Sequence, residues 1–200
     1  MGILAAGLAS LTINMTVTEK RAITMTSQDV EQTLDRLTTE VLERHADLSR
    51  LALVGIRTGG AYLAQRLGQK IQARTGVMLP VGILDITLYR DDWTRISHKP
   101  QVGKTELDFS LDDIDVVLID DVLFTGRTVR AAMDALTDFG RPRHIELAVL
   151  IDRGGRELPI CPDYIGQTVA LQGNQRVNVY LQEMGRSDEV VIEAGPKNKG

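Results

Sequence analysis

Short apolar runs recur along the chain, and a glycine-containing turn and an amphipathic segment follow the first two of them. The runs cover residues 51–56, 116–119 and 145–151, and only Glu146 interrupts the third. Runs of this kind are typical of strands that are covered on both faces in a parallel sheet. Apolar residues return at helical spacing through residues 63–71 and 129–136. The pattern predicts an α/β fold in which helices flank a parallel sheet.

The rest of the pattern predicts three further elements. Thr26 and Asp29 have the spacing of a capping box, and apolar residues then recur on one face of the helix that this box would begin. A proline and a glycine interrupt the strand-like segment 77–88, which is typical of an edge or bulged strand. Apolar and polar residues alternate over residues 177–181, which predicts a last, half-exposed strand.

Length and composition indicate how the chain is organised. Its 200 residues, 43% of them hydrophobic, suffice for one sizeable core. We expect a single domain over residues 21–193, a loose N-terminal extension over residues 1–20 and a frayed tail over residues 194–200. We expect no membrane association, because no segment resembles a signal peptide or a membrane span. Cys161 is the single cysteine, which excludes an internal disulfide and favours a reducing compartment such as the cytoplasm.

The run 116–119 is followed by a sequence that combines acids, hydroxyls and a glycine. Asp120 and Asp121 come directly after the strand, at the sheet edge where open α/β folds bind ligands. A carboxylate pair there accepts hydrogen bonds from sugar hydroxyls or holds hydrated Mg²⁺ through water. The next turn begins a helix whose free N–H groups bind a phosphate. We expect these phosphate-binding residues: Leu123, Phe124, Thr125, Gly126, Arg127 and Thr128.

These features together describe a ligand that carries a phosphate, a vicinal diol and a metal ion. 5-Phosphoribosyl-1-pyrophosphate (PRPP) has all three, and the stretch resembles the PRPP-binding signature of type I phosphoribosyltransferases. The alternative is an ordinary strand, turn and helix with charged residues at the strand end. Neither a Walker loop nor a dinucleotide-binding glycine motif is present.

A second strand, glycine turn and helix follow the run 51–56. We predict that the turn is the pyrophosphate loop, formed by Arg57, Thr58, Gly59 and Gly60. Two such turns at one sheet edge could hold the two ends of PRPP. By themselves the glycines could equally mark a helix start that needs flexibility.

Two further segments are candidates for the site. Residues 90–113 are polar and without periodicity, which predicts either a lid over the reacting ribose or a solvated loop. Arg90 at the hinge of this segment is a candidate catalytic residue that reaches the pyrophosphate. The third run delivers Asp152 and Arg153 to the same edge, where we expect them to bind the base together with Val177.

The motifs GIRTGG, DITLYRDD, VVLIDDVLFTGRTVRAAMDAL, RPRHIELAVLIDRGGRELPI and DYIG occur in this order. With them the chain resembles the PyrR family of pyrimidine-operon attenuators that are also uracil phosphoribosyltransferases. The resemblance implies the type I phosphoribosyltransferase fold, with a flexible lid loop and a small hood. It also implies that uracil and PRPP give UMP and pyrophosphate, with Asp120 and Asp121 as catalytic residues and Mg²⁺ as cofactor. The family commonly has an arginine where this chain has Gly59, which removes one cation from the pyrophosphate loop.

The residue before the phosphate turn bears on the choice of base. Enzymes of this type that act on 6-oxopurines carry an aspartate there, placed to handle the proton of the purine N7. This chain has Phe124, whose apolar ring cannot exchange a proton. The substitution favours a pyrimidine.

Binding to the pyrimidine-operon leader mRNA is the other role that the resemblance implies, and Arg36 and Arg156 are the candidate contacts. The net charge of −4 and the pI of about 5.4 do not suggest a nucleic-acid binder overall. Acids such as Glu31 and Asp35 lie where the family's regulators carry cations, so we expect weak RNA binding. Two functions stay open, an enzyme that makes UMP or mainly an RNA-binding attenuator with vestigial catalysis. In either case we expect a homodimer or a larger homo-oligomer.

Overall fold

The computed structural model describes residues 21–89 and 104–195. Within these ranges the chain forms eight strands and three α-helices. The strands are β1 (Arg21–Met25), β2 (Leu51–Ile56), β3 (Val81–Leu84), β4 (Asp115–Leu123), β5 (His144–Asp152), β6 (Tyr164–Thr168), β7 (Gln175–Tyr180) and β8 (Glu189–Ala194). The helices are α1 (Ser27–Arg44), α2 (Gly59–Thr75) and α3 (Arg127–Thr137).

The main sheet has five parallel strands in the order β3-β2-β4-β5-β6. Strand β4 lies at its centre, where Ile119 pairs with Gly55 of β2 and with Ala148 of β5. Because the strands are parallel, all of their carboxyl ends lie at one edge of the sheet. The loops that follow β2, β4 and β5 therefore meet at that edge, as predicted.

Alternate side chains of β4 enter two different apolar clusters. Val117 and Ile119 pack with α1 and α2 on one face, and Val116 and Leu118 pack with α3 on the other. All four are nearly inaccessible to solvent. The prediction of a strand that is buried on both faces is therefore confirmed, and it explains why the run contains no polar residue.

Strands β1, β8 and β7 form a separate antiparallel sheet, the hood. Arg66 of α2 fastens it to the main domain, since its guanidinium donates two hydrogen bonds to Glu183, at 2.8 and 2.6 Å, and two to Asp188, at 2.6 and 2.9 Å. The sequence pattern predicted a last strand at residues 177–181, but β8 follows it. Strands β1 and β6 were also not predicted, because short half-buried strands carry little periodic signal.

The structure also confirms the predicted start of α1 and the predicted edge position of β3. Thr26 and Asp29 do form a capping box at the start of α1. β3 is an edge strand, as predicted, and begins only after Pro80. No helix within the described residues is both long and apolar enough to cross a membrane.

The predicted lid from residue 90 to residue 113 is described only from Lys104 onward. That part is fixed to the sheet edge, because Glu106 and Ile83 exchange two backbone hydrogen bonds of 2.8 Å and Leu111 is fully buried. Residues 104–113 are thus anchored to the sheet at Glu106 and Leu111, and their role as a lid or a solvated loop stays a prediction. Arg90 and the rest of the predicted lid lie outside the described residues, as do the predicted extension over residues 1–20 and the tail from residue 196.

Candidate active site at the carboxyl edge of the sheet

The pairing of β2 with β4 brings the predicted pyrophosphate loop against the two acids. A side chain added at Gly59 would collide with the carboxylate of Asp121, and one at Gly60 would collide with the carbonyl of Ile119. At Gly60 the clash is with backbone, so only glycine fits there, whereas a residue at Gly59 would require the Asp121 side chain to shift. Both glycines belong to the first turn of α2. The structure thus joins two motifs that are more than sixty residues apart in sequence.

Asp120 and Asp121 are held close to the backbone at the end of β4. Asp120 is 6% exposed and its Oδ1 accepts a hydrogen bond of 3.0 Å from the Asp121 amide. The Asp121 Oδ1 accepts one of 2.9 Å from the Val122 amide. Burial raises the pKa of Asp121, although these hydrogen bonds oppose the effect. A bound cation or a sugar hydroxyl would relieve the cost of burying this carboxylate.

The acid pair fits a magnesium ion by its chemistry. Both residues offer carboxylate oxygens, the donor type that Mg²⁺ prefers, and Mg²⁺ keeps several waters when one or two carboxylates hold it. Among the described residues these two acids are therefore the ones that would hold Mg²⁺ through water.

Gly126 makes the phosphate turn possible. It has a φ of 91°, which L side chains rarely adopt, and it is the N-cap residue of α3. No side chain caps this helix start or the start of α2 at Thr58, whereas Thr26 caps α1. Thr58 and Gly126 therefore do not provide the N-cap acceptor that Thr26 provides to α1, although the Arg127 amide donates to Thr125 Oγ1 at 3.3 Å. Uncapped helix starts attract anions, which agrees with the two predicted phosphate cradles.

Arg57 of the pyrophosphate loop is already engaged by the protein. Its Nη2 donates to the carbonyl of Lys104 at 2.9 Å and lies 3.4 Å from Glu106 Oε1. The peptide bond between Arg57 and Thr58 is cis. The side chain is one third exposed.

The loop after β5 closes against the phosphate turn through Arg156. This side chain donates to the carbonyl of Phe124 at 2.9 Å, to the carbonyl of Ile160 at 3.0 Å and to Asp152 Oδ2 at 2.7 Å. The amides of Glu157 and Leu158 both donate to the carbonyl of Thr125. The loop thereby fixes the backbone that carries the phosphate N–H groups.

Of the predicted base-binding residues, Asp152 is committed to this loop, since its other oxygen accepts from the Gly154 amide at 2.9 Å. Arg153 lies over the ring of Phe124, 3.7 Å from its centroid. Val177 is 8% exposed in the hood sheet, part of the same core cluster as Ile119. Contact of these three residues with a base stays a prediction.

Sequence reasoning missed the structural role of Arg156, of Glu157 and of Gly155 in this loop. Glu157 pairs with Arg127 at 2.8 Å, and Gly155 has a φ of 73° beside the Phe124 ring. The run of two glycines after Arg153 was the available signal, since paired glycines indicate backbone that other residues cannot adopt.

Cations and acids of the proposed RNA face prove to be paired within the protein. Arg36 donates to the carbonyls of Ile165 and Gly166, at 2.9 and 2.6 Å, and pairs with Glu40. Two acids of α1 are also paired, since Lys70 pairs with Glu31 and with Asp35. This pairing weakens the repulsion of a phosphate backbone that we expected from them, and weak RNA binding stays a prediction.

The basic residues near β5 do not gather on one surface. Arg143 precedes the strand and Arg156 follows it, and the strand is nine residues long. At about 3.3 Å per residue the two lie roughly 25–30 Å apart along it. Arg156 is also occupied by the hydrogen bonds of the loop.

Comparison with known proteins agrees with this geometry. The family described as the phosphoribosyl transferase domain matches residues 25–180. The "Bifunctional protein PyrR" of Syntrophobacter fumaroxidans is 52% identical over 171 residues, which cover 86% of this chain and 92% of that protein. The "Bifunctional protein PyrR" of Desulfosudis oleivorans is 50% identical, over 87% of this chain and 97% of that protein.

Solved structures support the fold. The hypoxanthine phosphoribosyltransferase of Trypanosoma cruzi superposes with a TM-score of 0.64 at 16% identity, over 87% of this chain and 97% of its own. That of Staphylococcus aureus gives 0.60 at 21% identity, over 80% of this chain and 85% of its own. The chain therefore belongs to the phosphoribosyltransferase family and, within it, to the bifunctional PyrR proteins.

Proposed function

We propose that this phosphoribosyltransferase joins uracil to PRPP and produces UMP and pyrophosphate. The observation that carries the proposal is the position of Asp120 and Asp121 between two uncapped, glycine-containing helix starts at one sheet edge. The 5′-phosphate of PRPP binds at residues 125–128 and its pyrophosphate at residues 57–60. The two acids accept hydrogen bonds from the ribose hydroxyls that lie between these ends.

The same arrangement supports the chemical step. Breaking the bond between C1 and the pyrophosphate builds positive charge on the ribose, and Asp120 and Asp121 supply negative charge below it. With Mg²⁺ held through water by these two residues, the metal would neutralise charge on the departing pyrophosphate. Rigid loops hold both ends of PRPP, so the reacting groups are positioned before the bond breaks.

Phe124 supports a pyrimidine as the accepted base. Its ring is 42% exposed beside the phosphate turn, and its backbone is fixed by Arg156. An apolar ring there leaves no side chain at this position to handle the N7 proton of a 6-oxopurine. The site therefore suits uracil better than hypoxanthine.

The test is product formation by the purified protein from PRPP with uracil or hypoxanthine. We expect UMP from uracil, little or no IMP from hypoxanthine, and loss of UMP formation when EDTA removes the divalent cation. Failure to convert uracil in the presence of PRPP and Mg²⁺ would overturn the proposal.

As a second function we propose regulation of the pyrimidine operon through its leader mRNA, enhanced by UMP. The supporting observation is that the similar proteins at about 50% identity bear the name "Bifunctional protein PyrR". Since the guanidinium groups of Arg36 and Arg156 donate hydrogen bonds to acceptors within the protein, we expect modest RNA affinity. The cytoplasmic location and the homo-oligomer stay predictions from the sequence.

A further inference from the structure

The guanidinium of Arg153 lies over the ring of Phe124 without a polar partner among the described residues. The Arg153 Cζ is 3.7 Å from the ring centroid, and the buried Arg153 Nε has no hydrogen-bond acceptor among the described residues. Its backbone is fixed, since the Arg153 amide donates to the carbonyl of Leu123 at 3.1 Å. A buried N–H of a guanidinium without an acceptor is costly, and a ligand that supplies one would bind favourably.

The charge around Arg153 also lacks compensation. The neighbouring carboxylate of Asp152 is used by Arg156 and by the Gly154 amide. Neither Arg153 nor Arg176 of β7 forms a salt bridge within the described part of the chain. Burial lowers the pKa of Arg153, and the nearby positive charge of Arg176 lowers it further. Two unpaired cations at the base end of the site favour a ligand with negative charge.

Gly155 makes the contact between Arg153 and the Phe124 ring possible. A Cβ at this position would lie 2.6 Å from Cε2 of Phe124, and the φ of 73° already disfavours other residues. Because Gly155 has no side chain, the loop packs closely enough for Arg153 to contact the Phe124 ring. The stack holds the guanidinium in one place before any ligand binds.

We propose that Arg153, supported by Arg176, is a catalytic residue that stabilises the negative charge of the uracil ring as N1 loses its proton. The inference rests on the proposed uracil phosphoribosyltransferase activity. Uracil must lose the N1 proton when N1 bonds to the ribose C1, and Phe124 offers no base to take it. A preorganised cation beside the ring makes that proton more acidic, as an oxyanion hole stabilises an alkoxide.

The reaction balances without another reactant. A bond forms between N1 of uracil and C1 of the ribose, and the bond between C1 and the pyrophosphate oxygen breaks. The pyrophosphate leaves with that electron pair, and the N1 proton is taken up by the pyrophosphate at neutral pH. As N1 loses its proton, negative charge develops on the pyrimidine oxygens, and Arg153 stabilises this charge.

The experiment compares uracil with 5-fluorouracil, whose fluorine makes the N1 proton more acidic. We expect Arg153→Gln to lower kcat/KM for uracil by roughly 10²-fold, the usual cost of one preorganised charge-stabilising donor. The loss with 5-fluorouracil should be several-fold smaller, since that ring needs less help to ionise. Arg153→Lys should restore part of the activity, and Arg176→Gln should show a weaker form of the same preference.

Arg186→Gln is the matched control, because Arg186 also lies over an aromatic ring, that of Tyr180 at 4.4 Å, but in the hood outside the site. It should leave both substrates unaffected. Equal losses with uracil and 5-fluorouracil in Arg153→Gln, in a protein that still binds UMP, would overturn the inference. A wild-type protein that converts neither base would instead overturn the proposed function.

Discussion

At the scale of single residues, the site depends on glycines that touch acids. Gly59 lies against the carboxylate of Asp121, and burial raises the pKa of that carboxylate. A buried acid that lacks a cation destabilises the fold in its charged form, since the unfolded chain solvates it better. Natural chains accept such costs at functional sites.

Replacing both acids, as Asp120→Asn with Asp121→Asn, should abolish most UMP formation. We expect a loss of about 10²–10³-fold or more, because the ribose hydroxyls and the metal lose their charged partners. The rate of UMP formation at saturating PRPP and Mg²⁺ measures it. The melting temperature should be unchanged or higher, since a buried carboxylate is removed from the fold.

Asp134→Asn is a suitable control for this variant, because Asp134 is an exposed acid of α3 that pairs with Arg130. It should keep full activity. An active double variant at Asp120 and Asp121 would refute the assignment of the acid pair.

The hydroxyl of Thr128 should contribute directly to phosphate affinity. Thr128→Ala is expected to weaken UMP binding by about 1 kcal/mol, or somewhat more because the partner is charged. Thr137→Ala, at the other end of the same helix, removes a hydroxyl that donates to the carbonyl of Asp134 and should not change the UMP affinity. Calorimetry with UMP measures both, and equal affinities would contradict the role of Thr128.

Gly126→Val tests the turn itself. The φ of 91° and the nearby side chains of Leu158 and Ile160, each 3.4 Å from a Cβ at this position, leave valine no relaxed conformation. We therefore expect loss of UMP binding together with reduced thermal stability. Undiminished UMP affinity by calorimetry would show that the phosphate binds elsewhere.

At the scale of elements, the two ends of the parallel strands have different tasks. The carboxyl ends carry the site, whereas the amino ends of β4 and β5 carry an ionic cluster. There Asp115 accepts hydrogen bonds of 2.9 Å from Arg143 Nε and from His144 Nδ1. These contacts, chiefly the one with Arg143, lower the pKa of Asp115 to about 2. The cluster serves stability and lies a strand length from the site.

The stability that Asp115 contributes should depend on pH in a defined direction. A lowered folded-state pKa stabilises the fold above the unfolded value of about 3.9, and the gain disappears as the pH falls toward 2. Asp115→Asn should thus lower the melting temperature by a few degrees at neutral pH, and the difference from wild type should shrink below about pH 4. Thermal melts across this range measure it, and UMP formation should be retained.

At the scale of the whole molecule, charge limits what the surface can bind. The net charge is −4, and the cations near the predicted RNA face are paired: Lys70 and Arg74 with Asp35, and Arg36 with Glu40. Few of these groups remain to release counterions from a phosphate backbone. RNA binding at this face would have to displace these internal pairs.

We therefore predict weak binding to the leader RNA of the pyrimidine operon. Its Kd should lie near the non-specific range, roughly 10⁻⁴ to 10⁻⁶ M at physiological salt, with a shallow dependence on salt concentration. Gel shifts with and without UMP, against a shuffled RNA of equal length, test it. A nanomolar, UMP-enhanced and sequence-dependent shift would contradict this prediction and restore attenuation as the main role.

Much of the site could be predicted from local sequence because its signals are local. The apolar run 116–119, the two acids and the turn at Gly126 are contiguous, and strand and helix periods identify the elements on either side. The same holds for the capping box at Thr26 and for the residue type at position 124. Each of these features depends on residues that are neighbours in sequence, so one sequence is enough to recognise it.

The tertiary structure alone decided the contacts between distant segments. The pairing of β2 with β4 put Gly59 on Asp121, and the return of the loop after β5 turned Arg156 inward and laid Arg153 on Phe124. The identity of a charged residue in the sequence does not show whether its side chain faces solvent or an internal carbonyl. Its partner is fixed by strand order and loop closure, which bring together groups that no local pattern relates.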